Sequence, residues 1–205
     1  VVETESGRLL VFGWGLADAG VPGSWEAGAG AGVALLPAAD RAASERVMAA
    51  VDAHGRPGDR VVVSLHWGPN WGYDVPPAHR SFARRLAASG TVDLIFGHSS
   101  HHPRGLEVHR GRLVLYGVDD FLNDYEGIGG RESYRGDLTL MYLPVLAPSG
   151  ELARLRLVPF RLRRFRLERA PEEAADWLAD TLDRHSRSHG ARVHRTADGL
   201  EVTWQ

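Results

Sequence analysis

The strongest constraint in this sequence is a series of short apolar segments that alternate with helical ones. Segments Asp59–Leu65 and Val92–Phe96 have the nearly continuous apolar character of parallel strands that are covered on both faces. The segment Pro77–Ala88 between them predicts a helix, with its prolines at the start, where a helix tolerates them. With a strand at Arg8–Gly13 and a helix at about 38–53, this order favours an α/β fold with a layered sheet.

The second half of the sequence predicts hairpins and one more helix. The two larger hairpins are expected at 105–118 and 137–159, the helix at about 171–188 and a last small hairpin at 193–204. Arg161–Arg166 alternates poorly, so we expect a solvated edge there and not a nucleic-acid surface. The glycine-rich stretch Gly13–Gly32 is too apolar for a disordered linker and predicts an ordered long loop.

Composition excludes several classes of protein. The net charge of −2 gives no reason to expect nucleic acid or an anionic membrane as a partner, and no apolar run has the roughly 18 residues of a spanning helix. The absence of cysteine excludes a disulfide scaffold, a thiolate zinc site and a thiol enzyme. We expect one domain over residues 1–205, and the start at Val1 suggests an upstream part outside this sequence. Localisation stays open between the cell envelope and the cytoplasm.

Two of the predicted strands are followed at once by a histidine. His66 comes directly after Leu65, and His98 follows Phe96 with only Gly97 between them. Ligands gather outside the carboxyl ends of strands in open α/β sheets, so both imidazoles should share a crevice if the strands are neighbours. Imidazole is the commonest metal ligand, and His101 would bring the nitrogen donors to three. A lone strand-end histidine is usually structural, but three at converging strand ends favour a site.

Further candidates lie close to these histidines. The acids at 119–126 could supply oxygen ligands or a general base, or form a polar turn. His102 is a weaker candidate ligand than His101, because adjacent residues of an extended segment point in opposite directions. The loop at 70–73 either forms an aromatic wall for a substrate or packs its rings over the sheet. The candidate substrate contacts are Asn70, Trp71, Tyr73 and Arg104. The histidines expected to be solvated are His54, His79, His109, His185, His189 and His194.

The segments 64–73 (SLHWGPNWGY) and 97–128 (GHSSHHPRGLEVHRGRLVLYGVDDFLNDYEGI) resemble the CapA-type, PgsA-like proteins of bacterial poly-γ-glutamate and capsule synthesis. This resemblance, which extends from about Arg8 to Trp204, implies a calcineurin-like metallophosphoesterase-type layered sandwich with mixed sheets flanked by helices. It also implies a two-metal site for divalent ions such as zinc, manganese or iron. The implied metal ligands are His66, His98 and His101, and the implied catalytic or proton-transfer groups are Asp119, Asp120 and His102.

The sequence departs from the family pattern in two places. His98 and His101 are three residues apart where the family motif Gly-His-x-His has a spacing of two. Either Ser99 and Ser100 bulge to compensate, or one of the two histidines is not a ligand. The early ligands of the family, an aspartate and an Asn-His pair, have no counterpart before His66. We therefore expect the later part of a longer protein, with half of a metal site.

Two functions remain open from the sequence. The first is a metal-dependent hydrolase-type protein of poly-γ-glutamate or capsule polymer metabolism, acting on a polyanionic polymer or a small-molecule substrate. The second is a non-catalytic scaffold or polymer-binding component of a capsule synthesis complex. Neither function predicts nucleic acid as a partner.

Overall fold

The computed structural model describes residues 1–5, 7–124 and 128–205. The strands are β1 (Val2–Thr4), β2 (Gly7–Leu16), β3 (Leu35–Leu36), β4 (Arg60–His66), β5 (Leu94–His98), β6 (Leu106–His109), β7 (Arg112–Leu115), β8 (Leu138–Leu146), β9 (Leu152–Arg163), β10 (Arg166–Arg169), β11 (Ala191–Thr196) and β12 (Gly199–Trp204). The helices are α1 (Arg41–His54), α2 (Pro77–Ala88) and α3 (Glu172–Ser186). Short 3₁₀ turns lie at 17–19, 23–25, 132–134 and 187–189.

The first sheet has a parallel centre that places the two strand-end histidines side by side. Its order is β1-β2-β4-β5-β7-β6, with β3 also paired to β2. Strands β2, β4, β5 and β7 run parallel, whereas β1 and β6 are antiparallel to their neighbours. The register sets Gly15 beside His66 and His66 beside His98. The prediction that the two histidines lie at adjacent strand ends is therefore confirmed.

Alternation along β4 separates its core residues from its polar ones. Val61, Val63 and Leu65 are buried in a core that includes apolar residues of α1 and α2. Because successive side chains of a strand point to opposite faces, Ser64 and His66 lie on the face away from these helices. The helix residues of this core are Ala43, Val47, Val51, Phe82, Ala83, Leu86 and Ala87.

The opposite face of the first sheet contributes to a second core. The second sheet has the order β10-β9-β12-β11, with β8 paired to β9. Residues of both sheets and of α3 share this core; they include Leu94, Leu115, Leu138, Leu157, Leu178, Leu182 and Leu200. An α/β architecture of mixed sheets and helices is thus confirmed, while the metallophosphoesterase-type assignment and the single domain stay predictions. None of the helices in the described residues is both long and apolar enough to cross a membrane.

Some boundaries differ from those expected from the sequence. Strand β2 continues to Leu16, so the predicted glycine-rich loop begins at Ala17, four residues later than Gly13. Helix α1 begins at Arg41, because the carboxylate of Asp40 accepts a hydrogen bond from the Ala43 amide at 2.8 Å and caps the helix. Residues 163–166 are exposed as expected, whereas Leu162 is buried within β9.

Trp67 anchors the segment that follows β4. Its side chain is buried, its indole N–H donates to the Tyr116 carbonyl at 3.2 Å, and its ring stacks on His79 with centroids 4.5 Å apart. A Cβ atom at Gly97 would lie 1.9 Å from the indole nitrogen, so only glycine fits beside it. The absence of a side chain at Gly97 therefore leaves the space that the Trp67 indole fills.

We expect Gly97→Ala to lower the free energy of unfolding by about 2–3 kcal/mol, because the new methyl group overlaps the indole of Trp67. Gly13→Ala in β2 is the matched control, since nothing lies within 4 Å of the added Cβ, and its stability should stay equal or rise slightly. Urea unfolding followed by circular dichroism measures both. Equal stabilities of the two variants would contradict the packing of Trp67 against Gly97.

Candidate functional site

The central feature of the site is a close pair of imidazoles. The Nδ1 atoms of His66 and His98 lie 3.3 Å apart, with ring centroids separated by 5.2 Å. The other ring nitrogen of His98, Nε2, lies 3.1 Å from the hydroxyl oxygen of Ser64. Burial lowers the pKa of His98, and neighbouring His66 lowers it further, so His98 is neutral at neutral pH. A neutral imidazole is the form that binds a metal ion.

The histidine pair fits part of a metal shell. Two nitrogens bound at about 2.0–2.1 Å to one tetrahedral ion lie about 3.3–3.4 Å apart, which is the separation of His66 and His98. Across residues 1–5, 7–124 and 128–205, however, no three His, Asp or Glu side chains are grouped so that they could hold a metal. The described residues therefore offer two nitrogen donors without the third that was expected from His101, and its role as a ligand stays a prediction.

His101 instead forms an oriented pair with a carboxylate. Its Nδ1 lies 2.9 and 3.0 Å from the two carboxylate oxygens of Asp120, and its Nε2 lies 3.2 Å from the amide nitrogen of Asn70. Since a carboxylate only accepts and an NH₂ group only donates, we assign the proton to Nδ1 and the lone pair to Nε2. The side chains of His101 and Asp120 are 20% and 29% exposed. This arrangement suits general acid–base chemistry.

The departure from the family spacing coincides with an unusual backbone at Ser99. This residue has φ 125°, and its hydroxyl donates to the Gly68 carbonyl at 2.7 Å. The His101 amide donates to the Asn70 carbonyl at 3.1 Å, which ties the loop after β5 to the loop after β4. Positive φ values recur at Asp119 (60°) and Phe121 (56°). Strained residues of this kind cluster at functional sites, where the surrounding structure holds them.

His102 is buried beneath the predicted aromatic wall. It has no exposed surface, its Nδ1 lies 3.1 Å from the Pro103 carbonyl, and burial lowers its pKa to about 4. Its ring centroid lies 6.0 Å from Trp71, 4.7 Å from Tyr73 and 4.6 Å from Tyr134. His102 therefore supports the half-buried rings of the wall from below, and its predicted part in proton transfer stays untested.

Arg104 lies inside the protein. It is 3% exposed, and its guanidinium donates to the Pro69 carbonyl at 2.6 Å. Arg104, a candidate substrate contact, thus binds the backbone of the loop after β4. A direct contact between Arg104 and a substrate stays a prediction.

Asp119 and Asp120 have different surroundings although they are neighbours in sequence. Asp119 is 7% exposed, and its carboxylate accepts hydrogen bonds from the Thr139 hydroxyl and from the Phe121 amide, the latter at 2.6 Å. Burial raises the pKa of Asp119 to about 7. Of the other acids expected in this segment, Asp124 is exposed, and Glu126 lies outside the described residues.

Sequence reasoning missed a second carboxylate–histidine pair beside the site. His79 was expected to be solvated, which is wrong: it is 2% exposed, and its Nε2 lies 2.5 Å from a carboxylate oxygen of Asp18. The buried face of α2 carries His79 onto Trp67, and Asp18 also accepts from the Gly68 amide at 3.1 Å. Asp18 follows the end of β2 at Leu16, but the strand predicted from the sequence ends at Gly13, so the strand-end rule that selected His66 did not find it.

We expect Asp119→Asn to change how stability depends on pH. The folded-state pKa of Asp119, about 7, lies above the ordinary value of 3.8, so the unfolded chain releases its proton first as pH rises. This carboxyl therefore lowers the free energy of unfolding progressively between about pH 4 and 7, by on the order of 4 kcal/mol, and the asparagine variant lacks that loss. Urea titrations of both proteins at pH 4, 5.5 and 7.5 measure the difference. The same dependence of unfolding free energy on pH in both proteins would contradict the raised pKa of Asp119.

Comparison with known proteins agrees with the resemblance. Residues 1–125 match the family described as "Bacterial capsule synthesis protein PGA_cap". A probable polyglutamine synthesis accessory protein of Mycobacterium tuberculosis is 46% identical over 196 residues, covering 94% of this chain and 51% of that protein. The PGA biosynthesis protein CapA of Bacillus subtilis is 33% identical over 75 residues, 37% of this chain and 20% of that protein. The chain thus spans about half the length of the M. tuberculosis relative.

Proposed function

This chain belongs to the PGA_cap family of bacterial capsule synthesis proteins, and we propose that it contributes a metal-assisted, hydrolase-type site to the synthesis of a polyglutamate or capsule polymer. The observation that carries the proposal is the 3.3 Å separation of the His66 and His98 Nδ1 atoms. This separation matches that of two nitrogen ligands of one tetrahedral ion, and the paired strands that hold it support the proposal.

His66 and His98 would hold a divalent ion such as zinc, manganese or iron, and Ser64 would orient the ring of His98 from its other nitrogen. When bound, such an ion supplies Lewis acidity and lowers the pKa of a water molecule. Two nitrogens are only part of a catalytic shell. We propose that residues outside the described ranges of this chain supply the remaining ligands.

The residues of this chain provide an acid–base group and a wall beside the histidine pair. Asp120 holds the proton on Nδ1 of His101, which leaves Nε2 of His101 basic and directed at Asn70. A substrate group that displaced the Asn70 amide would meet a nitrogen able to accept its proton. The ring centroid of Trp71 lies 5.4 Å from that of His101, so Trp71 would cover one side of a group bound there.

The names of the relatives support a proposal for the substrate class. The printed names of the similar proteins refer to polyglutamine synthesis, PGA biosynthesis and capsule biosynthesis. We infer a polymer with repeated carbonyl and carboxylate groups, or a small molecule derived from it, as the substrate of this chain.

The metal ligands can be tested by zinc titration calorimetry of this chain. We expect one weakly bound zinc ion, because two of the four ligand positions are present, and loss of that binding in His66→Ala and in His98→Ala. His54→Ala is the matched control, since His54 is exposed and its Nδ1 lies 2.8 Å from a helix carbonyl oxygen. Binding that survives both site variants, or that is lost equally in the control, would contradict the assignment.

A second candidate function is a non-catalytic, polymer-binding component of a synthesis complex. The observation that favours it is the absence of a three-ligand group among the described residues. Polymer production by cells that carry the full-length protein separates the two functions. The hydrolase-type proposal predicts that His66→Ala combined with His98→Ala abolishes production without lowering protein abundance, whereas unchanged production would favour the scaffold.

A further inference from the structure

The turn that joins β9 to β10 is an exposed, strongly basic hairpin tip, defined here as residues 163–166. Arg163, Arg164, Phe165 and Arg166 are all exposed, and the Phe165 side chain retains 62% of its accessible surface. The register places Arg163 directly opposite Arg166 across the two strands. Three guanidinium groups and one aromatic ring therefore occupy four consecutive positions.

This tip is unfavourable for the stability of the isolated hairpin. Like charges directly opposite each other on paired strands repel. Arg164 and Phe165 have φ values of 49° and 59°, in the left-handed region that two-residue hairpin turns usually fill with asparagine and glycine. Neither turn position holds asparagine or glycine. A different sequence at the tip would therefore stabilise the hairpin more.

Two arginines on the strands next to the tip are neutralised by carboxylates. Arg161 pairs with Glu168 at 3.4 Å, and Arg154 pairs with Glu201 at 2.8 Å. Within the part of the chain that the structure describes, no carboxylate lies within ion-pair distance of the three arginines of the tip. The tip thus presents about three uncompensated positive charges to solvent.

The position of the tip connects it to the candidate site. Leu162, the residue just before the tip, lines a small cavity together with His101, Asp119 and Asp120. Arg163 follows Leu162 directly, so the tip begins one residue from the wall of this cavity. We expect a long substrate bound at His101 to reach the tip.

We propose that the hairpin tip is a binding subsite for the carboxylates of an acidic polymer, and this assignment rests on the proposed function for its choice of polymer. Guanidinium groups bind carboxylates through two parallel hydrogen bonds, and successive carboxylates of a polyglutamate chain match a row of arginines. The exposed ring of Phe165 packs on the methylene groups of the polymer that lie between its carboxylates. An anionic membrane is the weaker alternative, because stable attachment needs more apolar area than one aromatic side chain offers.

The test is fluorescence anisotropy of labelled poly-γ-glutamate titrated with the protein at low and at moderate salt. We expect Arg163→Gln combined with Arg166→Gln to weaken binding about five- to tenfold at low salt, with a smaller loss at moderate salt. The matched control is Arg56→Gln combined with Arg110→Gln, which removes the same charge from exposed arginines. Arg56 precedes β4 and Arg110 precedes β7. Both therefore lie near the amino-terminal ends of the parallel strands, whereas the site lies beyond their carboxyl ends.

Removal of the repelling arginine pair should leave thermal stability equal or higher, so that weaker binding is not caused by unfolding. An equal loss of affinity in the control variant, or no polymer binding by the wild-type protein, would overturn the subsite. So would a tip-dependent affinity for phosphatidylglycerol vesicles in the absence of polymer binding. Polymer binding should persist in His66→Ala combined with His98→Ala, so failure of the metal proposal would leave this result unchanged.

Discussion

The parallel pairing of β4 with β5 is the constraint on which the site depends. Because the register is fixed by buried residues on the helix-covered face, His66 is placed beside His98 on the same face of the sheet. A slip of one residue would turn His66 toward α1 and α2 and bring Leu65 to the opposite face. The geometry of the histidine pair is therefore a consequence of how Val61, Val63 and Leu65 pack.

The loops beyond these strand ends are held by contacts between them. Trp67 fills the space over Gly97, and Ser99 and His101 bond to the backbone of the loop after β4. Such ties hold the positive φ value at Ser99. The imidazoles of the site are thus carried by a rigid frame, which is what a binding or catalytic group requires.

The order of elements and the adjacency of the strand-end histidines were predictable, because both follow from local periodicity and from one rule of sheet topology. Helix α2 was predicted with its observed bounds, Pro77–Ala88. Partners distant in sequence were not predictable. Asp18 meets His79 across 61 residues, and His101 meets Asp120 across 19 residues. Local patterns carry no signal for such pairings.

The central claim is that His66 and His98 act together as metal ligands through their Nδ1 atoms. The most direct measurement is ¹⁵N nuclear magnetic resonance of the histidine side chains during addition of zinc, with each imidazole assigned. The account predicts that the Nδ1 resonances of His66 and His98 shift together and saturate at one equivalent, while the Nδ1 resonance of His101 keeps its position. Unchanged resonances of the pair, or a zinc-dependent shift at His101 instead, would contradict it.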